Sequence, residues 1–231
     1  MKFDIAQNNT AEKGRRSQKL RTEEVLLKLR YLIAEHELPP GTRLHELDLA
    51  KQLSTSRSVI REVLGALEQR GLVDRIPNRG AVVARLDPKE IYEIFDVRVA
   101  LEGLCTYQAT IKAPPETWDF YIELFGSAME KAISEGEVEN YIDALEKLRS
   151  EIIFWADNTH VANLLNLVLD KARFIQRRVT LLNGRASIGR EMHLEMLKHM
   201  REGDAVAAEE MKKCIISSAK EWLERFRSFV M

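Results

Sequence analysis

Residues 54–71 read STSRSVIREVLGALEQRG, a short polar turn followed by an amphipathic helix. The hydroxyl group of Ser56 is suited to cap the start of this helix, and the final glycine is suited to end it. The apolar residues recur at steps of three and four and form one buried stripe: Val59, Ile60, Val63, Leu64 and Leu67. This stripe leaves Arg57, Ser58 and Arg61 on the exposed face, near the N-terminus of the helix.

Two further helices are predicted before this one. The first has apolar residues at helical spacing, namely Val25, Leu29, Leu32 and Ile33. It stops at the helix-breaking stretch Leu38–Gly41, and a second short helix extends from about Glu46 to Leu53. A recognition helix enters the major groove of DNA by its N-terminus, so the early Arg and Ser residues of the third helix are candidates for contacts with base edges and phosphates.

A hairpin is predicted directly after the third helix. Residues 72–76 and 81–84 have the pattern of two strands, joined by a turn that contains Arg79 and Gly80. Arginine supplies charge and glycine removes a steric barrier, so this turn is suited to lie along the sugar–phosphate backbone or in the minor groove. An ordinary surface hairpin is the alternative. Three helices followed by a hairpin predict a winged helix-turn-helix over residues 18–85.

This order of residues resembles the GntR family of transcription regulators. The matching stretches are Pro40–Leu44, Leu49–Ala50, Ser56–Leu64, Leu67–Glu68, Gly71–Val73 and Asn78–Gly80. The resemblance implies operator contacts near the start of the third helix and at the tip of the wing: Ser56, Arg57, Ser58, Arg61 and Gly80. The second helix of that family often carries an Arg after its Glu, where this chain has Leu47. Arg43, just upstream, is the candidate substitute.

The charge distribution favours the same division of the chain. Residues 1–85 hold 16 Lys and Arg against 11 Asp and Glu, whereas the remainder holds 19 against 25. The overall pI of about 6.6 therefore combines a basic first part with an acidic second part. A basic region is what phosphate binding requires. Residues 1–17 are polar and are expected to form a flexible tail.

Other features of the sequence bear on the compartment. No apolar run is long enough to cross a bilayer, and the charged N-terminus lacks the apolar core of a secretion signal. We therefore expect a cytoplasmic protein that does not contact a membrane. Cys105 and Cys214 lie on predicted helices and are expected to be reduced and buried.

From Asp87 onward the pattern is helical throughout. Breaks near residues 113–115, 136, 158–159, 183–184 and 203–204 separate six segments. Residues 86–231 are therefore predicted to form an all-helical bundle of about six helices, which makes the whole chain mostly α.

This second part resembles the FCD domain, the ligand-sensing domain of the FadR branch of the GntR family. The supporting residues are Phe95–Arg98, Leu101–Glu102, Asn158, Leu164–Leu165, Glu191–His193, Gly203–Asp204, Ala207–Ala208 and Met211. The resemblance implies a small effector bound in the centre of the bundle. In many members it also implies a divalent metal held by an Asp and three His.

The metal-ligand positions implied by this resemblance are mostly replaced. Leu145 stands near the position of the Asp, Arg149 near that of the first His, and Cys214 or Ile215 at that of the last. Only His193 remains, and one His cannot assemble a divalent site. We therefore expect no metal or other cofactor. A metal-dependent regulator that uses His193 is the alternative.

Basic side chains on apolar helix faces suggest an anion pocket. Arg98 lies on a core-facing side of its helix, where it is expected either to pair with Glu102 or to bind an effector carboxylate. His193 is either a core histidine or a second pocket residue. We expect Arg149 to replace the charge of a metal, and Arg177 to be a further effector-binding residue. The sequence leaves open which residues of the basic group Arg173, Arg177 and Arg178 face the pocket.

Enzymatic activity is not expected. The chain lacks paired Glu-x-x-His motifs, a phosphate-binding glycine loop, a nucleophile elbow and a His-Glu-x-x-His motif. The alternative, an architectural DNA-binding protein, would give the whole helical part no function. The sequence therefore predicts a homodimeric repressor that binds operator DNA through one domain and a small organic acid through the dimerising other.

Overall fold

The computed structural model describes residues 5–34, 37–77, 79–85 and 87–226. The chain divides into two compact units, Met1–Leu86 and Asp87–Met231, one residue beyond the boundary expected from the sequence. Each unit has its own hydrophobic core. Across the described ranges, no helix combines the length and apolar character needed to cross a bilayer.

The described residues of the first unit form three helices: α1 (Ile5–Ala34), α2 (Glu46–Gln52) and α3 (Arg57–Gln69). All five residues of the predicted α3 stripe are buried, and α1 packs against this helix. The segment for which we expected a flexible tail is helical from Ile5 onward. It contains no proline, and its Ala, Glu, Lys and Arg residues favour continuation of the helix.

The end of α3 determines where the wing begins. Gly71 has a left-handed φ of +64°, which a residue with a side chain rarely adopts. The amide groups of Gly71 and Leu72 donate to the carbonyl groups of Glu68 and Leu67 at 2.9 and 3.0 Å. This Schellman motif directs the chain from the helix into the first strand of the hairpin.

The sheet has three strands, one more than the sequence predicted. They are β1 (Arg43–Leu44), β2 (Val73–Ile76) and β3 (Gly80–Val83), in the antiparallel order β1-β3-β2. The hairpin of β2 and β3 confirms the predicted wing, whose turn residue Asn78 lies outside the described residues. Strand β1 has only two residues, too few to show an alternating pattern. It forms by pairing Arg43 with Val82 and Leu44 with Ala81.

The second unit is an all-helical bundle, as predicted. Its helices are α4 (Pro88–Lys112), α5 (Asp119–Leu124), α6 (Ser127–Ser134), α7 (Val138–Ala156), α8 (Thr159–Thr180), α9 (Arg185–Glu202) and α10 (Ala205–Arg225). The described part of this unit thus holds seven α-helices rather than six. The second predicted segment is divided, because the fully buried Phe125 and the following Gly126 turn the chain between α5 and α6. A 3-10 turn at Pro115–Trp118 precedes α5.

Helix α4 packs against α7, α8 and α10 in the middle of this unit. The largest fully buried side chains of its core include Trp118, Phe125 and Tyr141. Cys105 is buried among them, as expected. Cys214 is exposed, so the expectation of burial was wrong for this residue. It lies on α10 between the buried Lys212 and Ile215, and the helical period turns it outward.

Candidate nucleic-acid interface and effector pocket

Ser56 caps the N-terminus of α3, as predicted. Its Oγ accepts a hydrogen bond from the amide of Val59 at 3.3 Å and lies 2.8 Å from the Oγ of Ser58. The first turn of the helix stays open to solvent, with the side chains of Arg57 and Arg61 57% and 61% exposed. This is the turn that a recognition helix presents to DNA.

Glu46 at the start of α2 connects both arginines, and sequence reasoning missed it. Its two carboxylate oxygens accept hydrogen bonds from Nε and Nη2 of Arg61 at 3.1 and 2.9 Å. Oε2 also lies 3.5 Å from Nη2 of Arg57. The hydrogen bond from Arg61 is the largest influence on this carboxyl and lowers its pKa. Glu46 therefore holds the two basic side chains side by side at the helix terminus.

The remaining DNA-binding candidates lie on the wing and on the strand β1. Arg79 is exposed in the turn, and Gly80 begins β3 with a left-handed φ of +75° opposite Ile76. Arg43 is exposed on β1, hydrogen-bonded to the same central strand. Leu47 is 54% exposed on α2 and supplies no charge where the family often has Arg. That these residues contact DNA stays a prediction.

The second unit encloses a cavity of about 40 Å³ between α4, α7, α8, α9 and α10. Three of the four predicted effector residues line it together: Arg98, Arg149 and His193. Arg177 does not line it. Its guanidinium instead forms two hydrogen bonds with the carboxylate of Glu139, at 2.5 and 2.6 Å. The helical period explains this, because Gln176, Val179 and Thr180 occupy the inward face of α8.

The buried carboxylate of Glu102 is the negative centre of the cluster beside this cavity. It accepts a hydrogen bond from Nε of Arg98 at 2.7 Å, so the expected intrahelical pair is present. The Nζ of Lys212 lies 2.9 Å from its second oxygen, and the Nε of Arg149 lies 3.9 Å away. Burial favours the neutral acid, but these three cations outweigh it and hold the pKa of Glu102 well below its usual range. The cluster therefore ties α4, α7 and α10 together.

Arg149 has several partners besides Glu102. Its Nη1 donates to Glu146 at 2.6 Å, and its Nη2 donates to the side-chain oxygen of Gln176 at 2.7 Å. Burial disfavours its charge, but Glu146 and Glu102 more than compensate and raise its pKa. Arg149 thus remains charged at the cavity wall, as its proposed role requires.

His193 contributes hydrogen bonds rather than charge. Burial, followed by the nearby Lys212, lowers its pKa to about 3, so the ring is neutral at neutral pH. Nδ1 lies 2.7 Å from the carbonyl oxygen of Gly189, to which it must donate, and 3.2 Å from the hydroxyl of Tyr141. Nε2 is then left as an acceptor. His193 can therefore orient a ligand that carries a hydroxyl or amide donor.

Sequence reasoning missed two cations of the cavity wall, Lys212 and Arg185. Lys212 shares a helix face with the buried residues Ala208, Ile215 and Ile216, so the same periodicity argument that identified Arg98 would have found it. Arg185 begins α9 directly after a turn, where no periodic pattern precedes it. The neutral polar residues Tyr141, Gln176 and Thr180 complete the polar part of the lining.

The cavity does not fit a divalent metal. Within the described ranges, no three His, Cys, Asp or Glu side chains converge as a ligand set would. Near His193, the positions that family resemblance assigns to ligands are occupied by Arg149, a cation, and by the apolar Leu145 and Ile215. Positively charged side chains repel a metal ion, and the neighbouring carboxylate is already paired with three of them.

Comparison with known proteins agrees with both halves of the structure. The family described as bacterial regulatory proteins, gntR family, matches residues 21–83, and the FCD domain matches residues 93–217. The chain is 32% identical over 147 residues to the HTH-type transcriptional regulator YdhC of Bacillus subtilis, which covers 63% of this chain and 65% of that protein. It is 44% identical over 78 residues to a gluconate operon transcriptional repressor of Bacillus licheniformis, covering 34% and 32%.

The match therefore spans less than two thirds of either relative. Among solved structures, McbR/YncC of Escherichia coli has the same fold, with a TM-score of 0.73 at 19% identity over 89% of this chain and 97% of that one. The FCD match alone covers more than half of the sequence. The chain therefore belongs to the GntR family of bacterial regulatory proteins, which are regulators rather than enzymes, and its second unit is an FCD domain.

Proposed function

We propose that the protein is a homodimeric transcription repressor whose affinity for operator DNA changes when a small organic acid binds in the helical unit. The observation that carries this proposal is the buried cluster of Arg98, Arg149 and Lys212 at a central cavity. It belongs to a chain whose other unit exposes Arg57 and Arg61 on a recognition helix. We propose repression rather than activation because the relative from Bacillus licheniformis is a transcriptional repressor. Such a regulator works where the DNA is, in the cytoplasm.

The first unit supplies the chemistry for reading DNA. Guanidinium groups at the start of α3 can form paired hydrogen bonds with a guanine in the major groove, and the neighbouring serine hydroxyls can bind bases or phosphates. Arg43 on β1 and Arg79 in the turn of the wing are both exposed, and they are assigned to the sugar–phosphate backbone. The left-handed Gly80 lets the turn approach that backbone closely.

A dimer follows from the size of the site. One recognition helix reads too few base pairs for useful specificity, so two copies are needed about one DNA turn, roughly 34 Å, apart on a near-palindrome. The second unit offers a face for this pairing, formed by exposed apolar residues of α4 and α8: Val97, Leu104, Ile111, Leu164 and Leu167. The two helices are antiparallel neighbours, because Asn158 donates to Gln108 at one end and Lys171 pairs with Glu90 at the other.

Leu164→Asp is expected to dissociate the dimer. A carboxylate introduced at the centre of the apolar face would be buried without a partner in the assembly, which should raise the dimer dissociation constant at least tenfold. Sedimentation velocity over a concentration series measures this. Val206→Asp, at a 64% exposed position of α10, is the matched control and should remain dimeric. A Leu164→Asp protein that stays dimeric would exclude this face as the interface.

Ligand binding in the cavity can affect DNA binding, because the charged side chains around the cavity belong to different helices. Glu102 on α4, Arg149 on α7 and Lys212 on α10 interact directly, so an anion that draws on these cations favours one packing of the bundle. An effector changes operator affinity by no more than its difference in affinity for the two packings.

Two alternatives predict different results. A metal-dependent regulator would lose its response on treatment with EDTA, and an architectural protein would bind DNA without any response to acids.

Operator release tests the proposal. DNase I footprinting on the DNA around the gene should reveal one near-palindromic site, which a member of a panel of C2–C6 organic acids releases. Arg149→Ala should raise the acid concentration for half-release at least tenfold, because a buried cation of the cavity wall is lost. Arg177→Ala is the matched control, since that side chain lies outside the cavity, and it should respond normally. A normal response of Arg149→Ala would exclude Arg149 as an effector ligand.

A further inference from the structure

The charges around the cavity do not balance. Four basic side chains line it, namely Arg98, Arg149, Arg185 and Lys212, and each is at most 6% exposed. Burial lowers the pKa of Lys212, and the adjoining carboxylate of Glu102 opposes this shift. Two carboxylates contact this group: the buried Glu102, and Glu146, whose side chain is 37% exposed. Buried charges are costly unless they are paired. The described residues thus leave two positive charges without a counter-charge.

Hydrogen-bond donors show the same deficit. Nη1 of Arg98, Nε of Arg149 and Nε of Arg185 are buried and have no hydrogen-bond partner among the described residues. Nearly all buried polar groups in proteins are hydrogen-bonded, so a buried group without a partner needs a physical explanation. These three donors belong to arginines that line the same cavity, and an anion bound there would supply oxygen acceptors.

Arg185 is the least compensated of the four cations. Its guanidinium donates to the carbonyl oxygen of Ile215 at 3.4 Å, and it forms no ion pair within the described part of the chain. Burial lowers its pKa, with only a partial opposing effect from Tyr141. A second anionic group in the cavity would provide the missing partner.

We propose that the effector is a compact dianion, whose two negative charges are held by Arg185 and Lys212 together with Arg98 and Arg149. This rests on the proposed function and narrows its effector from organic acids in general to one charge class. The shared chemistry is two negative charges on a small molecule, as in a C3–C4 dicarboxylate or a phosphate. The cavity is small, which favours such compact ligands over longer acids. Neutral His193 and Tyr141 can orient the remainder of the ligand.

Matched ligand pairs test the charge directly. We would measure thermal unfolding and titration calorimetry of the full chain at pH 8 and constant ionic strength. The probes are malonate, succinate, inorganic phosphate, acetate and succinamate, the monoamide that has the shape of succinate but one charge. At least one dianion should bind tenfold or more tightly than the monoanions and should raise the melting temperature at millimolar concentration. Whether the dicarboxylates or phosphate bind identifies the source of the two charges.

A charge-removing variant supplies the second readout. Arg185→Gln should bring the affinities for a preferred dianion and its monoanionic analogue to within about threefold, because it removes one uncompensated charge. Arg185→Lys keeps the charge, so it should keep the preference if Arg185→Gln fails to fold. Arg177→Gln, outside the cavity, is the control and should not change the preference.

The outcomes separate this inference from the proposed function. A monoanion that binds as tightly as the dianions and releases the operator would overturn the proposal of a dianionic effector. It would still support the proposal of an acid-responsive repressor. If no anion binds and none releases a footprinted operator, both the dianion and the acidic effector are excluded.

Discussion

Glu102→Ala is expected to destabilise the helical unit by about 3–5 kcal/mol, the range seen when one member of a buried ionic group is removed. The reason is the burial of three cations around this carboxylate. Without Glu102, the side chains of Arg98 and Lys212 lose their closest anion, and Arg149 keeps its ion pair with Glu146 and its hydrogen bond to Gln176. All three are at most 6% exposed, so bulk water is largely excluded from the charges that lose their partner. Urea unfolding followed by circular dichroism measures the change.

Two further variants make this result specific. Glu146→Ala should cost about 1 kcal/mol or less, because the side chain of Glu146 is 37% exposed and its ion pairs are partly screened by solvent. Glu102→Gln keeps the shape of the side chain but removes its charge, so a large loss there identifies charge rather than packing as the cause. A cost below about 1 kcal/mol for both Glu102 variants would contradict the structure of the cluster.

Arg61→Ala is expected to weaken operator binding about ten- to hundredfold per recognition helix, the value of one paired arginine contact with a base. Arg61 is 61% exposed and is held in a two-point contact with Glu46, so its loss should remove a predicted DNA contact without disturbing the core. Arg57→Ala should act in the same direction. Fluorescence anisotropy with an operator duplex, at two salt concentrations, gives the affinity and its salt dependence.

The control for this prediction is Lys28→Ala, which removes a positive charge from an exposed position of α1. It should change operator affinity by less than threefold. Sedimentation and circular dichroism must show that each variant remains a folded dimer. Normal operator affinity in both Arg57→Ala and Arg61→Ala would refute the assignment of α3 as the recognition helix.

Much of the first unit could be predicted because its signals are local. The cap at Ser56, the buried stripe of α3 and the glycine after it lie within eighteen consecutive residues, and each acts on its immediate neighbours. Strand β1 could not be predicted, since a two-residue strand exists only through its pairing with β3. The contact of Glu46 with Arg57 and Arg61 was also hidden, because it joins two helices across a turn.

The second unit shows where periodicity succeeds and where it fails. Helical spacing predicted that Arg98 and His193 face inward, and both line the cavity. Arg177 was selected for its charge rather than for its face, and it points away. The division between α5 and α6 also escaped prediction, since the burial of Phe125 depends on helices distant in sequence.

The sequence by itself determined the winged helix-turn-helix, the all-helical second unit and most of the helical faces that are buried, because caps, breakers and apolar spacing act over a few residues. Only the tertiary structure decided which charges meet. The partners of Glu102 come from three helices, and within the described residues Arg185 has no carboxylate partner at the same cavity. Electrostatic balance depends on side chains that are close in space, and the low dielectric of the interior makes an unpaired charge costly. The charge of the ligand can therefore be inferred only after the fold has assembled the site.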